Sequence, residues 1–146
     1  MTLHLIKLSV GSESIEDHAK WQAANRQYWR KVANKPVVFH TTFQTPKRTT
    51  ELLDGGSLYW VIKGVIEARQ RLVGFDEGKK EDGTPCCLLL LDPMIVPVRP
   101  VPRRAFQGWR YLDPADAPAD LGSKSSRSGG DLPPALRREL AALGLL

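Results

Sequence analysis

The alternation of apolar and polar side chains predicts that most of the regular structure in this chain is β-strand. Three segments are rich in β-branched and aromatic residues, which favour extended backbone: 3–10, 37–43 and 57–76. Shorter apolar runs predict further strands at 86–91, 94–99 and 106–112. Gly64 divides the longest segment, as a bulge, a barrel corner or a hairpin would.

One early segment has the periodicity of a helix. Ser14 lies three residues before Asp17, a spacing typical of the capping box that starts a helix. Because Pro36 disfavours helical backbone at the residue before it, we predict a helix over 15–33. Four residues form an apolar stripe that we expect to pack on the core, with base stacking by one of its aromatics as the alternative: Trp21, Ala24, Tyr28 and Val32.

The order of these elements predicts an α+β fold. One helix followed by five or six short, bent strands is typical of a small curled antiparallel sheet or a β-barrel. We assign a single core domain to 1–112 and a loop or linker, rich in Pro, Asp, Ser and Gly, to 113–131. A short C-terminal helix is predicted over 132–146, with a leucine face formed by Leu136, Leu140 and Leu143.

The chain is basic, and its charges are segregated. Its 146 residues include 21 Lys and Arg against 16 Asp and Glu, a net charge of +5 at pH 7. No acidic residue occurs in 18–50 or in 93–112, although both stretches contain several Lys or Arg residues. Such a distribution predicts one contiguous positive face, which would attract an anionic partner such as nucleic acid.

Several classes of protein are excluded at this level. The only two cysteines, Cys86 and Cys87, are adjacent, so they fit neither a disulfide scaffold nor a metal chelate. The first ten residues lack the pattern of a signal peptide, and the longest apolar run is too short for a membrane span. We therefore expect a cytoplasmic protein with no cofactor, no metal and no membrane partner, while its oligomeric state stays open.

Two stretches of the chain resemble known proteins. MTLHLIKLSVG and ELLDGGSLYWVIKGVIEARQ resemble a bacterial family of uncharacterised proteins over nearly the full length. The order of elements is also similar to the PUA-like superfamily, especially its ASCH and EVE branches. Residues 47–51 stand where the ASCH pattern has its Lys…Glu loop, and 55–57 stand for the following turn. Pro46 replaces a Gly of that pattern, and no Arg follows Glu51 at the expected place.

The PUA-like resemblance implies a small β-barrel with one or two flanking helices, and binding of RNA or of a modified base. A base reader needs an aromatic platform, hydrogen-bonding groups and cations for the phosphates. Tyr59 and Trp60 are the candidate platforms, and since strand alternation puts them on opposite faces, we expect one to face a cleft or solvent. Packing of both rings is the alternative. The predicted nucleic-acid-binding residues are Gln44, Lys47, Arg48, Tyr59, Trp60, Lys63, Arg69, Arg71, Arg103, Arg104 and Trp109.

The expected function is therefore binding of RNA or other single-stranded nucleic acid, and two alternatives stay open. Some small ASCH relatives are amidohydrolases that act on acylated nucleosides through a Lys, a Thr and a Glu. The resemblance implies Lys47, Thr49 and Glu51 for that set, with Thr50 and Glu67 as substitutes. A protein-interaction module that uses the leucine face of the C-terminal helix is the other alternative.

Overall fold

A sheet of eight strands dominates the computed structural model, which describes residues 2–25 and 28–121. In chain order the strands are β1 His4–Leu8, β2 Trp29–Val32, β3 Lys35–Thr42, β4 Ser57–Ile62, β5 Val65–Lys79, β6 Pro85–Leu91, β7 Val96–Pro102 and β8 Trp109–Leu112. Helix α1 spans Ile15–Ala24, helix α2 spans Thr49–Leu52, and a 3-10 turn spans Pro114–Asp116. This mostly β architecture with small helices agrees with the predicted α+β class at that coarse level.

The sheet is open, with the strand order β2-β3-β6-β5-β4-β1-β8 and with β7 paired to β5. Among the described strands, β1 and β4 run parallel and the other pairs are antiparallel. The 15-residue strand β5 joins two halves of the sheet, because its first part pairs with β4 and β7 and its second part with β6. Register shifts at 60/61 and 72/74 mark bulges, which bend strands and increase their twist.

Side chains, rather than strand pairing, link β8 to the segment that follows β3. The Trp109 Nε1–H donates to the Gln44 carbonyl at 2.8 Å. The Tyr111 hydroxyl accepts a hydrogen bond from the Lys47 backbone N–H at 3.0 Å. Between β1 and β3 the described residues form no strand pairing, and we call this gap the seam.

Gly64 takes part in a two-residue hairpin turn, which was one of its three predicted roles. Lys63 and Gly64 both have positive φ, 50° and 77°, as a type I′ turn between β4 and β5 requires. A second turn with two positive φ values joins β2 to β3 through Ala33 and Asn34, at 52° and 65°. Asparagine tolerates this left-handed backbone better than most residues, so Asn34 is the local signal for that turn.

The predicted helix over 15–33 is correct only in its first half. Its start is confirmed, since the Ser14 Oγ accepts a hydrogen bond from the Asp17 N–H at 3.1 Å. The helix ends before Asn25, whose side-chain amide donates to a carbonyl one turn back at 2.7 Å. The chain then enters β2, because pairing with β3 outweighs a weak helical periodicity.

The predicted apolar stripe of that helix is wrong. Helix α1 turns a different face to the core, with Ile15, His18 and Gln22 buried. Trp21 is 42% exposed, and Val32 lies on β2, where it is 44% exposed. The pattern misled because His18 and Gln22 are polar, yet they occupy core positions with their hydrogen bonds satisfied.

Strand β4 lies in the middle of the core and is buried on both faces. On one face Trp60 packs among leucines, and on the other Tyr59 packs with Ile6 and Val98. Trp60 is fully buried and Tyr59 is 4% exposed, so the expectation that one ring faces a cleft or solvent is wrong. Residues of β7 and the segment after it cover the face that alternation alone leaves open.

The first part of the loop predicted at 113–131 lies along β7. Backbone hydrogen bonds of 2.8 and 2.9 Å join residues 119 and 121 to that strand. Residues 122–131 and the C-terminal helix predicted at 132–146 lie outside the described residues, so the domain boundaries stay predictions. In the described part of the chain, no helix has the length and apolar character needed to cross a membrane.

Candidate nucleic-acid groove and the cavity beside it

A groove with a volume of about 410 Å³ opens at the seam. Its walls come from β1, from β8 and the residues before it, and from the end of β3 with the segment that follows, and Lys80 joins them from beyond β5. None of the described residues that line it is acidic. We call it the basic groove, after its three cations, two aromatic rings and two side-chain amides: Lys7, Lys80, Arg110, Phe43, Trp109, Gln44 and Gln107.

Strand pairing and one indole hydrogen bond assemble the basic groove. Lys7 on β1 pairs in register with Trp109 on β8. The Trp109 hydrogen bond to the Gln44 carbonyl then holds the segment after β3 against them. Phe43 precedes that anchored residue and is 74% exposed, so the groove displays an aromatic ring that does not serve the core.

No salt bridge among the described residues neutralises the cations of the basic groove. The Lys80 charge does act on one carboxylate, since hydrogen bonds from Thr84, and after them the charge of Lys80, lower the pKa of Asp82. The Lys80 Nζ lies 2.9 Å from the centroid of the Phe43 ring. The Arg110 guanidinium donates to the Gln107 carbonyl at 2.8 Å. Burial lowers the pKa of Lys7. Among the salt bridges of the described residues, none involves Lys7, Lys80 or Arg110, so these groups are available to an anionic ligand.

The structure brings two of the eleven predicted nucleic-acid-binding residues, Gln44 and Trp109, to the basic groove. Tyr59 and Trp60 are buried in the core. Three predicted cations are held in salt bridges: Arg48 with Glu51 at 2.5 Å, Lys63 with Glu13 at 3.2 Å and Arg69 with Asp120 at 2.6 Å. The remaining four are exposed and do not line the groove: Lys47, Arg71, Arg103 and Arg104.

Both acid-free stretches contribute to the basic groove, 41–44 from the first and 107–110 from the second. Whether their other cations share one positive face stays a prediction. Sequence reasoning misses Lys7 and Lys80, which are far apart along the chain and lie outside the two acid-free stretches. Only the β1–β8 pairing and the path of the chain after β5 bring them to the same groove.

The loop proposed for an amidohydrolase does not assemble its three residues. Both oxygens of the Glu51 carboxylate accept hydrogen bonds from Arg48, at 3.0 and 2.5 Å. These bonds lower the pKa of Glu51. In the described residues no hydrogen bond joins the Lys47 side chain to Thr49, and Glu67 is buried in β5. The loop therefore offers a paired carboxylate rather than a proton acceptor beside a nucleophile.

A smaller cavity, of about 120 Å³, adjoins the basic groove at Lys7, which lines both. Helix α1, strand β3 and the end of β1 each contribute to it, so the fold rather than any local motif assembles its chemistry. We call it the Ser–His cavity. Besides Lys7, the lining residues that matter are Ser9, Ser12, His18, Trp21 and His40.

Gln70, buried in β5, determines which nitrogen of His18 carries the proton. Its Oε1 accepts a hydrogen bond from the Trp60 Nε1–H at 2.8 Å, and its Nε2 donates to the Asp92 carbonyl at 3.0 Å. An indole only donates and a carbonyl only accepts, so the Gln70 amide has a single orientation. The His18 Nε2, 3.3 Å from the same Oε1, is therefore a donor and holds the ring proton.

The other ring nitrogen of His18 faces Ser9. His18 Nδ1 lies 2.8 Å from Ser9 Oγ. Burial lowers the pKa of His18, against an opposing contribution from the Gln70 hydrogen bond, so the imidazole is neutral at neutral pH. Since Nε2 holds the proton, Nδ1 is an acceptor and the Ser9 hydroxyl donates to it.

His40 is a second neutral imidazole in the Ser–His cavity. Its ring is stacked beside that of His18, with centroids 6.5 Å apart, and packs against Trp60 at 4.6 Å. Burial, followed by the charges of His18 and Lys7, lowers the pKa of His40 to about 3. Within the described residues, no third His, Cys, Asp or Glu joins these imidazoles in a group that could hold a metal ion.

Comparison with known proteins adds a family to this geometry. A family model described as a protein of unknown function matches residues 5–146. The chain belongs to the DUF1489 family. The predicted likeness to a family of uncharacterised proteins is confirmed in this form. No curated protein matches the sequence, and no solved structure matches the fold. For this DUF1489 chain, function is therefore argued from the groove and the cavity.

Proposed function

We propose that this chain binds single-stranded nucleic acid, with RNA as the first candidate, in the basic groove. The observation that carries the proposal is the placement of two aromatic rings among three cations, without a carboxylate among the described lining residues. Single-stranded nucleic acid is a chain of π-faces joined by phosphates, so its chemistry complements both features.

Phe43 and Trp109 are the stacking candidates, and they replace Tyr59 and Trp60 in that role. The exposed Phe43 ring offers a face to a base, and stacking of this kind contributes about 1–3 kcal/mol per base. Trp109 is fixed by its hydrogen bond to the Gln44 carbonyl, so its ring is ordered before a ligand arrives. The side-chain amides of Gln44 and Gln107 supply donors and acceptors for base edges.

Lys7, Lys80 and Arg110 are the phosphate-binding candidates. Neutralised phosphates release condensed counterions, which makes affinity fall as the salt concentration rises. Lys7 and Lys80 are partly buried and Arg110 is exposed, and all three line the basic groove. A ligand held by this arrangement is recognised first by charge and stacking, and base preference depends on the two glutamines.

The proposal extends to the fold. The bulged, open sheet with α1 beside it, and with β8 held against the segment after β3, supports a PUA-like barrel with an unpaired seam. In that architecture the seam is the natural place for a flexible strand to enter, because residues 39–42 of β3 pair with β6 on one side and have no neighbouring strand on the other among the described residues.

A titration by fluorescence anisotropy tests the proposal. End-labelled oligoribonucleotides, single-stranded DNA and duplex RNA are compared at low and at physiological salt. We expect the single strands to bind more tightly than the duplex, with an affinity that falls steeply with salt. Phe43→Ala should weaken binding about tenfold, in line with the loss of one stacked base.

Arg71→Ala provides the matched control, since Arg71 is an exposed cation that does not line the basic groove. It should bind as the unmodified protein does, whereas Lys80→Ala and Arg110→Ala should bind more weakly. No binding to any oligonucleotide at low salt would overturn the proposal. An equal loss of affinity in Arg71→Ala and in Arg110→Ala would show that the nucleic acid does not bind in the groove.

A further inference from the structure

We infer that Ser9 is a nucleophile and His18 its general base, in a site that transfers a short acyl group from an ester to water. The inference concerns the Ser–His cavity and does not depend on nucleic-acid binding in the basic groove. Its starting point is the 2.8 Å contact between Ser9 Oγ and His18 Nδ1, which is the contact that a serine nucleophile and its base require.

The direction of that hydrogen bond is what distinguishes this pair from an ordinary polar contact. Gln70 accepts from the His18 Nε2–H, so the Nδ1 lone pair points at the Ser9 hydroxyl. Trp60 and Asp92 in turn hold the Gln70 amide in its one orientation. Gln70 is therefore a positioning residue, which fixes the tautomer of the base as a carboxylate does in other serine triads.

Two polar side chains lie beside the nucleophile. The hydroxyls of Ser9 and Ser12 are 3.0 Å apart, and when the single Ser9 proton is donated to His18, Ser12 is the donor of this pair. The Lys7 side chain lines the same cavity. The Lys7 amino group has N–H donors in both of its protonation states. These groups are placed to stabilise the negative charge that develops on the carbonyl oxygen during attack.

The reaction has two balanced steps. In the first, Ser9 Oγ attacks the ester carbonyl carbon while His18 Nδ1 takes the hydroxyl proton. The C–O bond to the alcohol then breaks, and His18 returns the proton to the departing oxygen. In the second step water attacks the acyl–serine ester, His18 takes a proton from that water, and Ser9 leaves with it. The products are an alcohol and a carboxylic acid, and the enzyme is regenerated.

The size of the cavity sets the class of substrate. Its volume of about 120 Å³ corresponds to about four water molecules at ~30 Å³ each. That space admits an acyl group of about two to four carbons. Trp21 and the neutral His40 present ring surfaces to it, so an uncharged acyl chain fits better than an anionic one. The alcohol part of the ester would extend towards solvent.

The test is acylation by p-nitrophenyl acetate, with the modified residue located by peptide mass spectrometry. We expect the acetyl group on Ser9 of the folded protein and no label at that position in Ser9→Ala. His18→Asn should slow acetylation of Ser9 by about 100-fold or more. Thr84→Ala removes an exposed hydroxyl outside the cavity, and this control should be acetylated on Ser9 at the unchanged rate.

Two further measurements separate this role from a structural one. Acetylation should fall as the pH is lowered, with a midpoint below the ordinary imidazole pKa of about 6.5. The charged and titratable groups that line the cavity with His18 are His40 and Lys7. Because His40 is neutral over this pH range, His40→Asn should leave the midpoint nearly unchanged. The p-nitrophenyl ester of octanoic acid should react far more slowly than the acetate, because its chain exceeds the cavity.

Acetylation confined to lysines, or equal acetylation of Ser9 in folded and urea-unfolded protein, would overturn the inference. So would an unchanged rate in a His18→Asn variant whose circular dichroism shows a native fold. If His18→Asn does not fold, the site of acetylation in the unmodified protein and the pH dependence of its rate still decide whether Ser9 is the nucleophile.

Discussion

The basic groove and the Ser–His cavity adjoin at Lys7, yet their polar groups differ in how far they are paired within the protein. In the groove the cations make no salt bridge among the described residues, and Phe43 is exposed. In the cavity His18 is held by two hydrogen bonds, and Gln70 behind it makes further ones. The cations of the groove can therefore bind a ligand, whereas the polar groups of the cavity hydrogen-bond to one another and orient its side chains.

This difference predicts which substitutions should change stability and which should change ligand binding. A side chain in a satisfied, buried network contributes to stability, because its loss leaves partners without hydrogen bonds. A side chain on an open surface contributes little to stability and much to binding. Substitutions of matched residues in the groove and in the cavity therefore test whether the two regions differ in this way.

The largest effect is expected for Trp60→Ala against Phe43→Ala. Trp60 is fully buried and its indole donates to Gln70, so its loss should lower the free energy of unfolding by about 3–5 kcal/mol. Phe43→Ala should change it by less than about 0.5 kcal/mol. Urea denaturation followed by tryptophan fluorescence and circular dichroism measures both values, and similar losses would refute the distinction between the two regions.

The amides Gln70 and Gln44 make the second matched pair. Gln70→Ala leaves the Trp60 indole and the His18 ring without their acceptor, which should cost about 2–3 kcal/mol of unfolding free energy. The exposed Gln44 uses its backbone carbonyl, not its side chain, to hold Trp109, so Gln44→Ala should leave stability nearly unchanged. A stable Gln70→Ala variant would show that the network does not hold the cavity in place.

Lowering the pH should reduce the free energy of unfolding through the buried histidines of the cavity. The pKa of His40 is about 3 in the folded chain and about 6.5 in an unfolded one, so the unfolded state binds the proton between these values. The stability contributed by neutral His40 is complete above pH ~6.5 and is lost as the pH falls towards 3, at up to about 1.4 kcal/mol per unit.

The measurement is urea denaturation between pH 7 and pH 4, with His40→Asn as the test variant and His4→Asn as the control. His4→Asn keeps His40 and therefore keeps the acid sensitivity that His40 adds. Burial also lowers the pKa of His4 and of His18, so a smaller slope remains in His40→Asn. A slope in His40→Asn as steep as that of the unmodified protein would contradict this assignment.

The affinity of the basic groove for nucleic acid should depend on its number of cations and on the salt concentration. Each phosphate neutralised on a single strand adds about 0.7 to the slope of log affinity against log salt. Lys80→Ala and Arg110→Ala should each reduce the slope by about that amount, and Arg71→Ala should not change it. Anisotropy titrations at four or more salt concentrations give the slopes.

Much of the fold follows from local signals, and the groove and cavity do not. Alternation predicts the strands other than β2, and Gly64 marks the hairpin as one of its three predicted roles, because both signals depend on residues close together in the chain. The end of helix α1 was mispredicted because pairing of β2 with β3 is a tertiary interaction. Tyr59 and Trp60 were misassigned because a single strand does not reveal what covers its second face.

The site residues that the sequence does not predict are also brought together by tertiary structure. Ser9, His18 and Gln70 have no motif spacing, and they meet only because β1, α1 and β5 surround one space. Lys7 and Lys80 are brought together in the same way. The acid-free stretches are the useful signal, since they include two of the segments that supply residues to the basic groove, 41–44 and 107–110.

Photo-crosslinking of a single-stranded oligoribonucleotide that carries 4-thiouridine tests the central claim most directly. After irradiation and digestion, mass spectrometry identifies the crosslinked peptide. The account predicts crosslinks at Phe43 or Trp109, which disappear at high salt. Crosslinks at Trp21 or Tyr28, whose rings stack at 5.4 Å and do not line the basic groove, would contradict it, as would the absence of any crosslink at low salt.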